Sequence, residues 1–143
     1  VHSGGMAIIA NGFNPDIIRK IFKGEEVGTV FLPSEYLSSK KRWIAYASTV
    51  FGKIKVNDGA KKALVENNAS LLAVGIVDIK NKFNAGDVVS VLDCENIEFA
   101  RGIVNYSSSE CKKIKGKHSD EIENILGPKN YDAVITRDNF VIL

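Results

Sequence analysis

Two cysteines, three prolines, one methionine and one tryptophan are all that 143 residues contain of those types. Cys94 and Cys111 form no CxxC pair and no disulfide framework, which removes the small stapled secreted folds and points to a reducing cytoplasm. His2 and His118 stand far apart, with no cysteine or carboxylate set at metal-ligand spacing, so no zinc site is expected. The longest apolar run, Leu71 to Val77, falls far short of the roughly 20 residues that span a bilayer, so no transmembrane helix and no membrane partner are expected. No charged segment followed by an apolar stretch and a cleavage site opens the chain, as a signal peptide requires. Excess charge is missing as well: nineteen basic against seventeen acidic residues leave +2, too little to imply nucleic acid by itself. There is no P-loop, no GxGxxG and no Ser–His–Asp order, so no catalytic residue is assigned. Ser3-Gly4-Gly5-Met6 reads as a plain turn before a strand, because neither a helix nor a lysine follows to meet a phosphate.

What the chain does contain suits one ordinary domain, or a small domain with an attached piece. Hydrophobic residues make up 45% and charged residues 25%, which excludes wholesale disorder. A chain this long hides roughly two-thirds of its unfolded surface without metal or disulfide staples. Met6 to Ala10 is continuously apolar, the pattern of a strand buried on both faces of a parallel sheet. Asn14-Pro15-Asp16 reads as a helix start, with Asn14 as N-cap and Pro15 at the first helical position. Ile17, Ile18, Ile21 and Phe22 share one face of that helix, Gly24 stops it, and Val27 to Leu32 reads as a second strand. The pattern is βαβ-like, and thirty residues cannot cover a parallel sheet. Residues 1–32, opening on Val1, are therefore expected to be the remnant of a larger α/β domain, with an apolar face that favours self-association.

Residues 33–42, with Pro33 and several serines, read as a linker, and Lys41 to Ala47 as a short helix carrying Trp43. From Gly52 the texture changes to short strands and turns. Ile54 and Val56 alternate with Lys53 and Lys55, Asp58 is placed to cap a helix running to Glu66, and Ser70 to Lys80 is apolar and extended. Asn84 to Asp87 is a turn, Val88 to Leu92 and Glu98 to Val104 an antiparallel pair. Ser107 to Glu110 is a capping box for a helix that closes near Gly116, Ser119 caps a further helix ending at Leu126, and Val134-Ile135 and Phe140 to Leu143 finish as strands. Lys112, Lys113, Lys115 and Lys117 read as a solvated face at a helix C-terminus, offset by Asp120, Glu121 and Glu123. The fold expected over residues 43–143 is mixed α+β, a barrel-like module of about six short strands with small helices.

Four stretches carry a more specific signal: Gly52 to Leu64, Ser70 to Val77, Phe83 to Val89 and Ala100 to Ser108. In that order they resemble a PUA domain, and more narrowly the C-terminal PUA domain of the glutamate 5-kinase family. Ile8 to Gly12, Gly28 to Phe31 and Lys41 to Ile44 are similar to the end of that family's amino-acid-kinase domain, and His118 to Gly127 with Arg137 to Asn139 to its C-terminus. The resemblance implies a PUA-like pseudo-barrel preceded by a βαβ-like remnant of the kinase domain. It implies a cytoplasmic, homo-oligomeric parent that uses ATP and Mg²⁺ to phosphorylate the glutamate side chain in the first step of proline biosynthesis. Glutamate, ATP and the feedback inhibitor proline would bind the missing kinase domain, so the chain alone is expected to be inactive, with no catalytic, cofactor-binding or metal-binding residue of its own. PUA domains of RNA-modifying enzymes bind structured RNA; the residues here that such a role would use are Lys53, Lys55, Gly59, Ala60, Lys61 and Lys62.

Overall fold

Met6 to Ala10 and Val27 to Leu32 do form strands, and they pair with each other. The computed structural model describes residues 5–32, 38–128 and 131–143; His2, Ser3 and Gly4, and residues 33–37 of the expected linker, lie outside the described residues. The chain divides into two units, 1–38 and 39–143. In the first, β1 (Ala7–Ile9) precedes helix α1 (Ile17–Phe22) and β2 (Thr29–Phe31). The order strand, helix, strand is the expected one, but the pairing is antiparallel, with Ala7 opposite Phe31 and Ile9 opposite Thr29. The reason is local. Gly28 has φ +75° and lies so close to the Ile9 carbonyl that a Cβ there would sit 2.1 Å from it, so the chain re-enters at the C-terminal end of β1 and runs back. The result is a two-stranded ribbon whose Ile9, Val30 and Phe31 are exposed, in place of a strand buried on both faces. Helix α1 also starts later than its signal: Asn14 Oδ1 accepts from the Asp16 N–H at 3.1 Å in the turn ahead of the helix, and Asp16 holds the N-cap position.

The second unit begins with α2 (Ser39–Arg42), which runs into a π turn (Trp43–Ala47). Then come β3 (Val50–Val56), α3 (Asp58–Glu66), a 3₁₀ turn (Ala73–Gly75), β4 (Ile76–Lys80), β5 (Val88–Leu92) and β6 (Glu98–Ile103). Helices α4 (Ser108–Ile114) and α5 (Ser119–Leu126), a second 3₁₀ turn (Arg137–Asn139) and β7 (Phe140–Ile142) complete it. The sheet order is β4-β3-β5-β6-β7; β3 and β5 run parallel and the other neighbours antiparallel. Val134-Ile135, expected as a strand, makes instead a single bridge, with the Leu71 N–H donating to the Ile135 carbonyl at 2.8 Å and the Val134 N–H to the Leu71 carbonyl at 2.7 Å. Leu71 leads into β4 and Ile135 into β7, the two edge strands. That bridge therefore ties the ends of the sheet together and makes the unit a pseudo-barrel, satisfying edge groups that would otherwise be open to pairing.

The core follows the alternation. Ile54, Val56, Val89, Val91 and Ala100 point to one side of the sheet, where Cys111, Ile114 and Ile122 of α4 and α5 meet them. Strand β5 is buried along its whole length, so the doubly covered strand of this protein lies here. Caps place the helices. Asn57, one residue before the expected Asp58, caps α3 by accepting from the Ala60 N–H at 2.8 Å. Ser107 and Glu110 form the expected capping box on α4, and α5 is capped at His118, with Ser119 already helical.

Candidate functional site

Helix α3 and the turn joining β5 to β6 organise most of the residues that the sequence singles out. Gly59 and Ala60, in the first turn of α3, line a cleft of about 340 Å³ closed on its far side by residues 69–75. A Cβ on Gly59 would meet only the Asn57 Oδ1, at 3.5 Å, so this backbone is open to a ligand, whereas one on Gly75 would strike the Ala60 Cβ at 2.6 Å. The close approach of α3 to the 69–75 segment thus depends on Gly75. No ionisable side chain lines the cleft, and Ser70 Oγ already accepts from the Arg137 N–H at 3.0 Å. Such a surface can bind an apolar or planar group, but it offers no acid, base or activated nucleophile.

The four lysines do not converge on that cleft. Lys61 Nζ lies 2.9 Å from Asp93 Oδ2 and 5.5 Å from the centre of the Phe99 ring. Asp93 is buried, and its other oxygen accepts from the N–H groups of Glu95 and Ile97, each at 2.9 Å. The Lys61 ammonium, followed by the Ile97 N–H, holds the Asp93 carboxyl below the ordinary aspartate range, and Asp93 in turn raises Lys61. Lys55 Nζ donates to Asn96 Oδ1 at 3.2 Å in the same turn. Lys62 points along the helix to Glu66, 4.0 Å away. Lys53 stands exposed on the outer sheet face, opposite Lys80 of β4. Gly59 and Ala60 therefore share the cleft, Lys55 and Lys61 share the β5–β6 turn, and Lys53 and Lys62 stand apart.

Asp93, Asn96 and Asn57 are the organising residues that the sequence reading does not pick out. Asp93 to Asn96 has turn composition, the one available signal; the burial of its aspartate depends on Lys61 arriving from another element. Among the described residues no group of three His, Cys, Asp or Glu is placed to hold a metal ion. Cys111 is buried in the core with its thiol pushed up to about 12 by desolvation, which makes it inert.

The sequence model of the PUA domain family matches residues 52–126, from β3 to the end of α5. The chain belongs to the PUA domain family. The match covers the cleft, the β5–β6 turn and the capping box, and leaves the first unit outside. Over its whole length the chain is also similar to glutamate 5-kinases: 47% identical to that of Thermoanaerobacter pseudethanolicus, covering 99% of this chain, and 48% identical to that of Caldanaerobacter subterraneus. The glutamate 5-kinase of Moorella thermoacetica is 42% identical over 137 residues. The chain spans 38% of the first two relatives and 36% of the third. Among solved structures, a PUA domain from Aeropyrum pernix shares 21% identity over 76% of this chain and 51% of its own, at a TM-score of 0.45. No helix among the described residues is long and apolar enough to cross a membrane.

Proposed function

We propose that this chain is the C-terminal PUA region of a glutamate 5-kinase and acts there as an accessory interaction module rather than as a seat of chemistry. The observation that carries the proposal is the similarity at 47% identity over 99% of the chain to 38% of a kinase of that name. In the parent, ATP, Mg²⁺ and glutamate would bind in the portion of the relatives that this chain does not span, and the phosphoryl group would pass to the glutamate side-chain carboxylate in the cytoplasm. Such transfer relies on cationic groups converging on the moving phosphoryl. In the described second unit, Lys61 is turned to Asp93 and Lys55 to Asn96, and the cleft carries no charge. Calorimetric titration of the 143-residue chain with Mg·ATP and with glutamate is expected to give no saturable heat. Saturable binding of either would overturn the proposal.

A second reading, an RNA-binding PUA module, draws on the open backbone at Gly59 beside Lys61 and Lys62. If Lys53, Lys55, Lys61 and Lys62 all met phosphates, log affinity would fall against log salt with a slope of about −3.6 on duplex and about −2.8 on single strands. If Lys55 and Lys61 keep their present partners, the slope is about half that. Salt-independent or undetectable binding would sink the RNA reading and leave a protein partner for the module.

A further inference from the structure

The π turn Trp43–Ala47, into which α2 (Ser39–Arg42) leads, lies against β6 and β7 on the outer face of the sheet. Where α2 widens into the π turn, the carbonyls near its end lose their usual i+4 partners. Each of three successive carbonyls nonetheless has a donor. The Ser48 N–H reaches the Trp43 carbonyl and the Ser48 Oγ–H the Ile44 carbonyl, both at 2.9 Å. Arg101 Nη1 reaches the Ala45 carbonyl at 2.7 Å. The first two bonds are local, and the third comes from the middle of β6. The same guanidinium donates through Nε to Glu98 Oε1 at 2.7 Å, so one planar fork is shared between the sheet and the segment lying on it. Glu98 is held in its charged form by Arg101 first, and by Ser90 and Lys53 in addition. Ile44 and Ala45 are buried, yet neither belongs to the main core cluster.

We propose that Arg101 is a clasp, a positioning residue that fastens Ser39–Ala47 to the sheet, and that this segment is a strap with a docked and a released state. The strap joins residues 1–38 to β3. Docked, it holds the chain against the sheet up to the start of β3; released, it frees nine residues (39–47) ahead of β3. Its hold includes the fully buried Ile44, the buried Ala45 and one charge-assisted bond, and neither apolar residue belongs to the main core cluster. Release is therefore a local opening, separate from unfolding.

Hydrogen exchange on the 143-residue chain tests this. Arg101→Gln removes the charge and shortens the fork. It is expected to speed exchange at the amides of residues 44–48 by about tenfold or more, while Val89, Val91 and Ile114 keep their protection and Trp43 fluorescence moves to longer wavelength. Arg101→Lys keeps the charge but serves one acceptor at a time, and is expected to fall between the two. Glu98→Gln leaves the guanidinium in place without its charged anchor, and its smaller effect should be confined to the same amides. Unchanged exchange at 44–48 in Arg101→Gln would overturn the clasp. So would equal acceleration across the core, or failure of the variant to fold, since either makes Arg101 a general stabiliser.

Discussion

Asp93 is the residue on which the second unit's polar geometry turns. One of its oxygens takes two backbone N–H groups and shapes the β5–β6 turn, and the other takes Lys61. Asp93→Asn is therefore a clean probe: the amide oxygen keeps the turn, and an NH₂ replaces the oxygen that faces the ammonium. The variant is expected to unfold at lower temperature than the parent at pH 7. The folded carboxyl is more acidic than in the unfolded chain, so its contribution is present above the ordinary aspartate pKa of about 4 and is lost as the pH falls through the lower, folded value. The folded Lys61 is less acidic than in the unfolded chain, so the same pair fades again at alkaline pH, above the ordinary lysine pKa of about 10.4. Thermal unfolding from pH 2 to 11 should show the gap between parent and variant narrowing toward both ends. A pH-independent gap would mean that the pair contributes nothing and the substitution harms only packing. Nothing in the neighbourhood of Lys61 along the chain announces Asp93, which is why the sequence alone places Lys61 with Lys53, Lys55 and Lys62 among the residues an RNA-binding role would use.

Elements whose signals are local are readable, and those set by distant partners are not. The capping box of α4 is written in four consecutive residues, Ser107 to Glu110, and forms as expected, with the Ser107 hydroxyl donating to Glu110 Oε2 at 2.6 Å. Ser107→Ala is expected to cost about 1 kcal/mol, within the range of about 0.5–2 for such caps, measured by urea unfolding; no change would mean that α4 is held by packing alone. Glu98 to Ile103 and Val88 to Leu92 pair as expected because a short turn joins them. The caps of α3 and α5 lie one residue earlier than expected because Asn57 and His118 satisfy the same geometric role as Asp58 and Ser119. The antiparallel pairing of β1 with β2 departs from the expected βαβ pattern because an apolar run does not reveal its partner's direction; Gly28 against the Ile9 carbonyl decides it. The Leu71–Ile135 bridge that closes the barrel was invisible for a related reason, since neither residue carries a mark for a contact so distant in sequence.

At the scale of the whole molecule, PUA membership rests on the match over residues 52–126, and four spaced stretches were enough to suggest it from the chain alone. The candidate site was less legible. Its glycine and alanine do line a cleft, but three of its four lysines have partners within the protein, Lys61 at Asp93, Lys55 at Asn96 and Lys62 at Glu66, so the cationic surface is smaller than a count of charges suggests. A modest net charge of +2 and an uncharged cleft fit an accessory module better than an electrostatic trap for phosphates. The claim on which the account rests is that this module does not carry out phosphoryl transfer. The direct measurement is glutamyl phosphate formation from ATP and glutamate by the purified 143-residue chain, trapped as the hydroxamate, beside a full-length kinase such as that of Thermoanaerobacter pseudethanolicus. The account predicts product from the full-length enzyme and none above background from the chain; steady turnover by the chain alone, abolished by no contaminant control, would contradict it.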